Sequence, residues 1–116
     1  MVNVRATAQN LANDFTAMGA YIGVCTGPPG DTATVFNEAT GGSPAYTRQL
    51  TTWTAGTNGS GAGSPVTLNL PAGTYPYMIM CSAATGNNMT DWCILPTPIV
   101  VTSQAAIKVT PAVNSA

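Results

Sequence analysis

The sequence predicts a mainly β protein: an antiparallel, jelly-roll-like β-sandwich preceded by one short N-terminal amphipathic helix. Three observations lead there. After Gly19, about seven short strand-like runs follow one another at regular spacing, each closed by Gly, Pro or Asn. The one helical period lies ahead of them, within the first 18 residues. The 116 residues contain no internal repeat and no second composition block, the size of a single domain. An arm over 1–19 and a sandwich over 20–116 are therefore expected.

Over 4–18, Val4, Ala8, Leu11, Ala12, Phe15 and Met18 fall on one stripe, with Arg5, Gln9, Asn13 and Thr16 opposite. Asn3 suits the N-cap and Gly19 the C′ position. A helix this short is marginal alone, so its stripe has to dock on the body or on another subunit. Residues 21–26 read as a strand stopped by GPPG, where Pro28 and Pro29 offer no ladder donor. A long loop occupies 31–44. The stretch 45–54 reads as a polar strand with Tyr46, Arg48, Leu50 and Thr52 on one face and Thr47, Gln49, Thr51 and Trp53 on the other. AGTNGSGAGS, over 55–64, has the composition of a flexible connector. Val66, Leu68 and Leu70 alternate with Thr67 and Asn69, the pattern of a half-buried strand. Residues 77–83, apolar on both faces, predict a central strand covered on each side. Further strands are expected near 91–95, 99–102 and 105–110.

Charged residues are 6% of the chain against about 25% in ordinary globular domains. The ionic side chains are Arg5, Arg48, Lys108, Asp14, Asp31, Glu38 and Asp91, and histidine is absent. A Ser-His-Asp triad, a Cys-His pair, a histidine base and a histidine-ligated zinc are thereby excluded. Three cations cannot neutralise many phosphates, so no nucleic-acid partner is expected. With a net charge of −1, the surface has to be covered by Thr, Ser, Asn and Gly. Such a surface hydrogen-bonds well and repels other proteins weakly, which favours a molecule packed against copies or partners over a neutral secreted domain. MVNVRATAQNLANDF has no apolar signal core, and no run approaches 18 apolar residues, so neither a signal peptide nor a membrane span is expected. Cys25, Cys81 and Cys93 lie in the apolar runs YIGVC, YMIMC and WCIL and read as three reduced, buried thiols suited to a cytosol. A Cys81–Cys93 bridge would require those runs to be strand neighbours. Zinc would lack both a CxxC pair and a histidine.

Asp31, Glu38 and Asp91 are the carboxylates available for glycosidase-like acid–base work, but all three sit in turn-like sequence, where such groups usually bind backbone amides. Asp31, Asn87, Asn88 and Asp91 could ligate calcium, without a recognisable ligand spacing. Arg48, in mid-strand, either pairs with Glu38 and pins the 31–44 loop or projects to an interface. Trp53, Trp92, Tyr46, Tyr75 and Tyr77 could form a sugar platform, but their spacing marks no exposed row and fits strand packing. The candidate structural or interface residues are accordingly Phe15, Met18, Glu38, Arg48, Trp53 and Trp92. No catalytic residue, cofactor or metal is expected.

Four segments, YIGVCTGPPG, NEATGGSPAYTRQLTTW, LPAGTYPYMIMCSAATGNNM and AAIKVTP, taken in that order, resemble a family of small virion proteins from tailed bacteriophages (actinobacteriophage-like), labelled head decoration or tail fibre proteins. The resemblance covers nearly the whole chain. Asn37, Glu38, Gly41, Gly42, Tyr46 and Arg48 match its loop-and-strand motif, and Gly73, Ser82, Gly86 and Asn88 its hairpin. Pro44 is additional, and Cys25 and Pro28 stand where the pattern is more often polar. These motifs are structural and carry no catalytic residue. They imply a capsid decoration (cement) protein on the virion exterior, made in the host cytoplasm. Its partner would be the major capsid protein, whose outer lattice surface it binds, in all expectation as a homotrimer. Contacts are expected from 2–18 and from loops 27–44 and 55–64. The alternatives are a tail or tail-fibre component binding host-surface glycans, and a small hydrolase using Asp31, Glu38 or Asp91.

Overall fold

Val66, Leu68 and Leu70 turn inward while Thr67 stays in solvent, and that alternation sets one wall of the interior. The structure, a computed structural model, describes residues 9, 13–14, 16–57 and 59–114. Within them run β1 (Tyr21–Cys25), β2 (Gln49–Leu50), β3 (Trp53–Ala55), β4 (Ser60–Gly63), β5 (Val66–Leu70), β6 (Gly73–Cys81), β7 (Met89–Val101), β8 (Ala105–Val109) and β9 (Ala112–Asn114). Every pairing is antiparallel. A four-stranded sheet has the order β2-β1-β6-β7, a three-stranded sheet the order β3-β4-β9, and β5 pairs with β8. The predicted antiparallel β-sandwich is present.

The core lies between the sheets. Val24, Tyr75 and Val101 of the four-stranded sheet meet Leu68 and Leu70, flanked by Ala105, Ile107 and Val109. Ile22 and Met80 meet Val66 beside Trp53. Full burial of each such aliphatic side chain contributes about 1.5–3 kcal/mol. The opposite face of the same sheet carries Cys25, Ile79, Cys81 and Met89, packed with Tyr21, Val35, Tyr77 and Trp92. Part of the cover there comes from the loop after β1, through Val35. β6 is thus covered on both faces, as the apolar run over 77–83 predicts.

Several expectations are corrected. The strands expected over 91–95 and 99–102 are one strand, β7. It lies at a sheet edge, where Pro96 and Pro98 sacrifice no shared ladder bond on the free side. Its register slips opposite Tyr75/Tyr77 and Met80/Cys81. The 55–64 segment is no connector: it holds β4, paired on both sides. Its glycines answer to crowding, since a Cβ at Gly63 would lie 2.6 Å from Pro111 Cγ and 2.7 Å from Thr51 Oγ1. The 45–54 strand is broken into β2 and β3, so strict alternation fails: Arg48 and Thr51 are buried while Leu50 is exposed. Cys93 is exposed, on an edge strand, and only Cys25 and Cys81 are buried. β6 and β7 are neighbours, yet Cys93 faces Met78 and Cys81 faces Met89, and all three thiols are free. At the N-terminus, Gln9, Asn13, Asp14 and 16–18 are helical. Phe15 and most of the predicted stripe lie outside the described residues, and Met18 is exposed rather than docked on the body. No helix among the described residues is long and apolar enough to cross a membrane.

Gly63→Val should destabilise the protein by about 1–3 kcal/mol through overpacking against Pro111 and Thr51. Thr67→Val, on an exposed strand position, should change stability by less than about 0.5 kcal/mol. Thermal melting of the two variants checks both.

Candidate functional site

The polar centre of the molecule forms where two loops meet the four-stranded sheet. After β1 the chain doubles back: Thr26 N–H donates to Asn37 O (2.8 Å), and Ala39 N–H donates to Val24 O (3.0 Å). Asn37 makes this turn with φ 61°, a left-handed conformation that Asn tolerates better than most residues. A single antiparallel bridge then sets Glu38 beside Cys25. Arg48 reaches the same place from the segment before β2.

Arg48 Nε donates to Glu38 Oε2 (2.8 Å) and Nη2 donates to Glu38 Oε1 (2.8 Å), a two-pronged ion pair. Nη1 donates to Ala83 O (3.1 Å) and Asn88 Oδ1 (3.1 Å), and Nη2 also donates to Gly86 O (2.9 Å). All five guanidinium N–H donors therefore have acceptors. Tyr46 Oη donates to Glu38 Oε2 (2.7 Å) and accepts from Val24 N–H (3.3 Å). Asn88 closes its own loop, donating to Thr85 O (2.7 Å) and accepting from Ala83 N–H (3.2 Å). Gly23 is required beneath this group, because a Cβ there would strike Tyr46 Oη.

The hydrogen bonds to Glu38 hold the Arg48 guanidinium charged still more firmly than usual. Burial, together with the Glu38 charge, pushes the Tyr46 hydroxyl well above its ordinary range. Burial likewise pushes the Cys25 thiol up to about 12 and the Cys81 thiol up to about 11, from 9.0. The Cys93 thiol is also raised, by desolvation first and by Asp91 second. The two buried thiols, Cys25 and Cys81, are poor nucleophiles at neutral pH.

Of the residues singled out in the sequence, Glu38 and Arg48 come together as a pair that pins the 31–44 loop. Arg48 does not project to an interface. Trp53 joins the Ile22–Val66–Met80 cluster and donates its indole N–H to Gly19 O (2.8 Å), fixing the joint between arm and sandwich. Trp92 is half-buried at the β7 edge, its ring 5.7 Å from that of Tyr77 and inclined at 63°. Tyr75 is buried and bonded to Pro71 O, so the five aromatics form no common platform. The calcium set is likewise divided: Asn88 serves Arg48, and Asn87 Oδ1 accepts from Val35 N–H (3.3 Å). No group of three or more His, Cys, Asp or Glu side chains among the described residues could hold a metal ion. Asp31 and Asp91 do line one cleft, with Thr32, Ala33, Met89, Thr90 and Trp92. Asn88 was missed as a partner of Arg48, although it stands in the SAATGNN hairpin. Compared with known proteins, the chain matches no family model, no curated protein and no solved structure.

Arg48→Met should cost about 3–5 kcal/mol in urea unfolding, because it strands the Glu38 carboxylate and several carbonyls. Ellman's reagent at pH 8 should titrate one thiol, Cys93, in the native protein and all three after denaturation. Because Cys25 and Cys81 have raised values in the fold, their stabilising contribution is complete below about 9 and is lost as the pH climbs towards about 12. The urea midpoint should therefore fall across that alkaline window, and fall less in a Cys25→Ala, Cys81→Ala double variant.

Proposed function

We propose that the protein is a phage virion structural component, a capsid decoration protein that binds the outer face of the major capsid lattice as a homotrimer. One observation carries the reading: a nearly chargeless exterior interrupted by separate large apolar side chains. Met18 (54% exposed), Phe36 (55%), Leu50 (62%), Ile94 (65%) and Val100 (65%) stand out of a surface otherwise rich in Thr, Ser, Asn and Gly. Leu50 and the pair Ile94 and Val100 lie on opposite edge strands of the four-stranded sheet, so apolar contact is offered on two sides. Such contacts are individually weak, but repetition over a symmetric lattice multiplies them into high avidity. Low charge also lowers the cost of crowding many copies together. The resemblance in the turn and strand motifs supports the same reading. Bond-making chemistry has little to work with: the chain has no histidine, the buried thiols stay protonated, and Glu38 is committed to Arg48 and Tyr46.

Mass-resolved stoichiometry of purified particles tests this directly. A copy number comparable with that of the major capsid protein supports decoration of the head. A handful of copies would move the protein to the tail, and its absence from particles would overturn the reading. Deleting residues 2–18 should remove the protein from the lattice while the sandwich still folds. Ile94→Ser combined with Val100→Ser should lower occupancy severalfold without changing the melting temperature, because both side chains are already largely in water.

A further inference from the structure

We propose that the Asn58–Gly59 step of the β3–β4 turn is a deamidation site whose rate the N-terminal arm controls, because Gln9 holds the nitrogen that has to attack. The inference does not depend on where in a particle the chain acts. This is the only Asn-Gly step in the sequence. Asn58 lies outside the described residues, and its covalent place beside Gly59 is all that the chemistry requires of it. The Gly59 nitrogen closes a five-membered ring on the side-chain amide carbon of Asn58. The N–Cγ bond forms, the Cγ–Nδ2 bond breaks, and ammonia leaves with the proton that Gly59 gave up. Water then opens the succinimide at either carbonyl, giving aspartate or isoaspartate. Glycine favours the closure because it has no Cβ to crowd the attacking nitrogen.

Gln9 guards that nitrogen. Gly59 is buried, with φ 91°. Its N–H donates to Gln9 Oε1 (3.2 Å), and the Ser60 N–H donates to the same oxygen (3.3 Å). Gln9 Nε2 donates back to Ser60 O (2.9 Å), so one side-chain amide pairs with the Ser60 main chain as a strand neighbour would. The turn itself is tied as well: Gly56 N–H donates to Ser60 O (3.0 Å) and the Ser60 hydroxyl to Thr57 O (2.9 Å). To attack, the Gly59 nitrogen has to give up its proton and aim its lone pair at Cγ, and it can then no longer donate to Gln9. Ring closure therefore costs the Gln9 bond while the arm is docked and is spared that cost once the arm leaves. The product matters to a chain whose net charge is −1, since each event adds a carboxylate. Isoaspartate also lengthens the main chain by one methylene, two residues before Ser60, which anchors Gln9. An arm that undocks is thus recorded in the covalent structure and finds its anchor altered when it returns.

The test ages the full chain at pH 8, natively and in urea, and follows every asparagine by peptide mass spectrometry with a separate isoaspartate assay. Asn58 should convert ahead of the other asparagines, and more slowly in the native chain than in urea. Gln9→Ala should speed the native rate about three- to tenfold, the net worth of one hydrogen bond expressed as a rate, and leave the rate in urea unchanged. Gln49→Ala, which removes a glutamine bonded to Thr47 instead, should age as the parent chain does. An unshifted melting temperature and a protected Leu68 amide in Gln9→Ala separate loss of the guard from loss of the fold. Equal rates in the native parent chain and in urea would overturn the proposal whether or not that variant folds. Faster conversion at another asparagine, no acceleration in folded Gln9→Ala, or the same acceleration in Gln49→Ala would each overturn it too.

Discussion

A buried guanidinium whose five donors are all occupied is the constraint around which one whole face of the protein is arranged. Arg48 is 6% exposed, and a charge taken that far out of water is tolerated only when every proton it carries finds an acceptor. Glu38 supplies two of the acceptors, and the backbone at Ala83 and Gly86, with the Asn88 amide, supplies the others. Those groups come from two loops far apart in sequence, so satisfying one side chain dictates the course of both. The sheet beneath had to give way as well: Gly23 is bare where Tyr46 and Glu38 press down.

That arrangement uses two of the seven charged side chains for internal order, which leaves the exterior poorer still in charge. What remains outside is hydroxyl, amide and a few apolar knobs on edge strands and loops. Under the proposed decoration role, such a surface would suit repeated contact over many copies. Residues 31–33 of the same loop line the cleft at the start of β7. The prolines of β7 fit the same picture. Pro96 and Pro98 interrupt the free edge where unchecked strand pairing between copies would otherwise be invited.

Much of this was legible in the residues. Alternation revealed β5, the two-sided apolar run revealed the central position of β6, and a lone arginine in mid-strand near a loop glutamate revealed the ion pair. The failures share a cause: composition speaks of average tendencies, whereas neighbours in space decide particular positions. Glycines over 55–64 read as flexibility but record the closeness of Pro111, Thr51 and Trp53. The gap expected between strands at 91–95 and 99–102 is bridged, because Pro96 and Pro98 are tolerated at an edge. Thr51 is buried in place of Leu50 because its hydroxyl donates to Ser64 O (2.7 Å), a partner no local pattern announces. Cys93 sits among apolar letters yet is exposed on a strand at the sheet edge, so its surroundings in sequence misstate its burial. The role of Asn88 as an acceptor for Arg48, 40 residues away in sequence, depends wholly on the fold.

Native-state hydrogen exchange on Arg48→Lys tests the clamp most directly, because a lysine keeps the charge but cannot serve all the acceptors at once. The account predicts that the amides of Ala39, Ala83 and Met89, bonded within the pinned loops, lose protection first, while Leu68 and Ile107 in the β5–β8 pair keep theirs. Uniform loss across all five amides, or no loss at any, would contradict it.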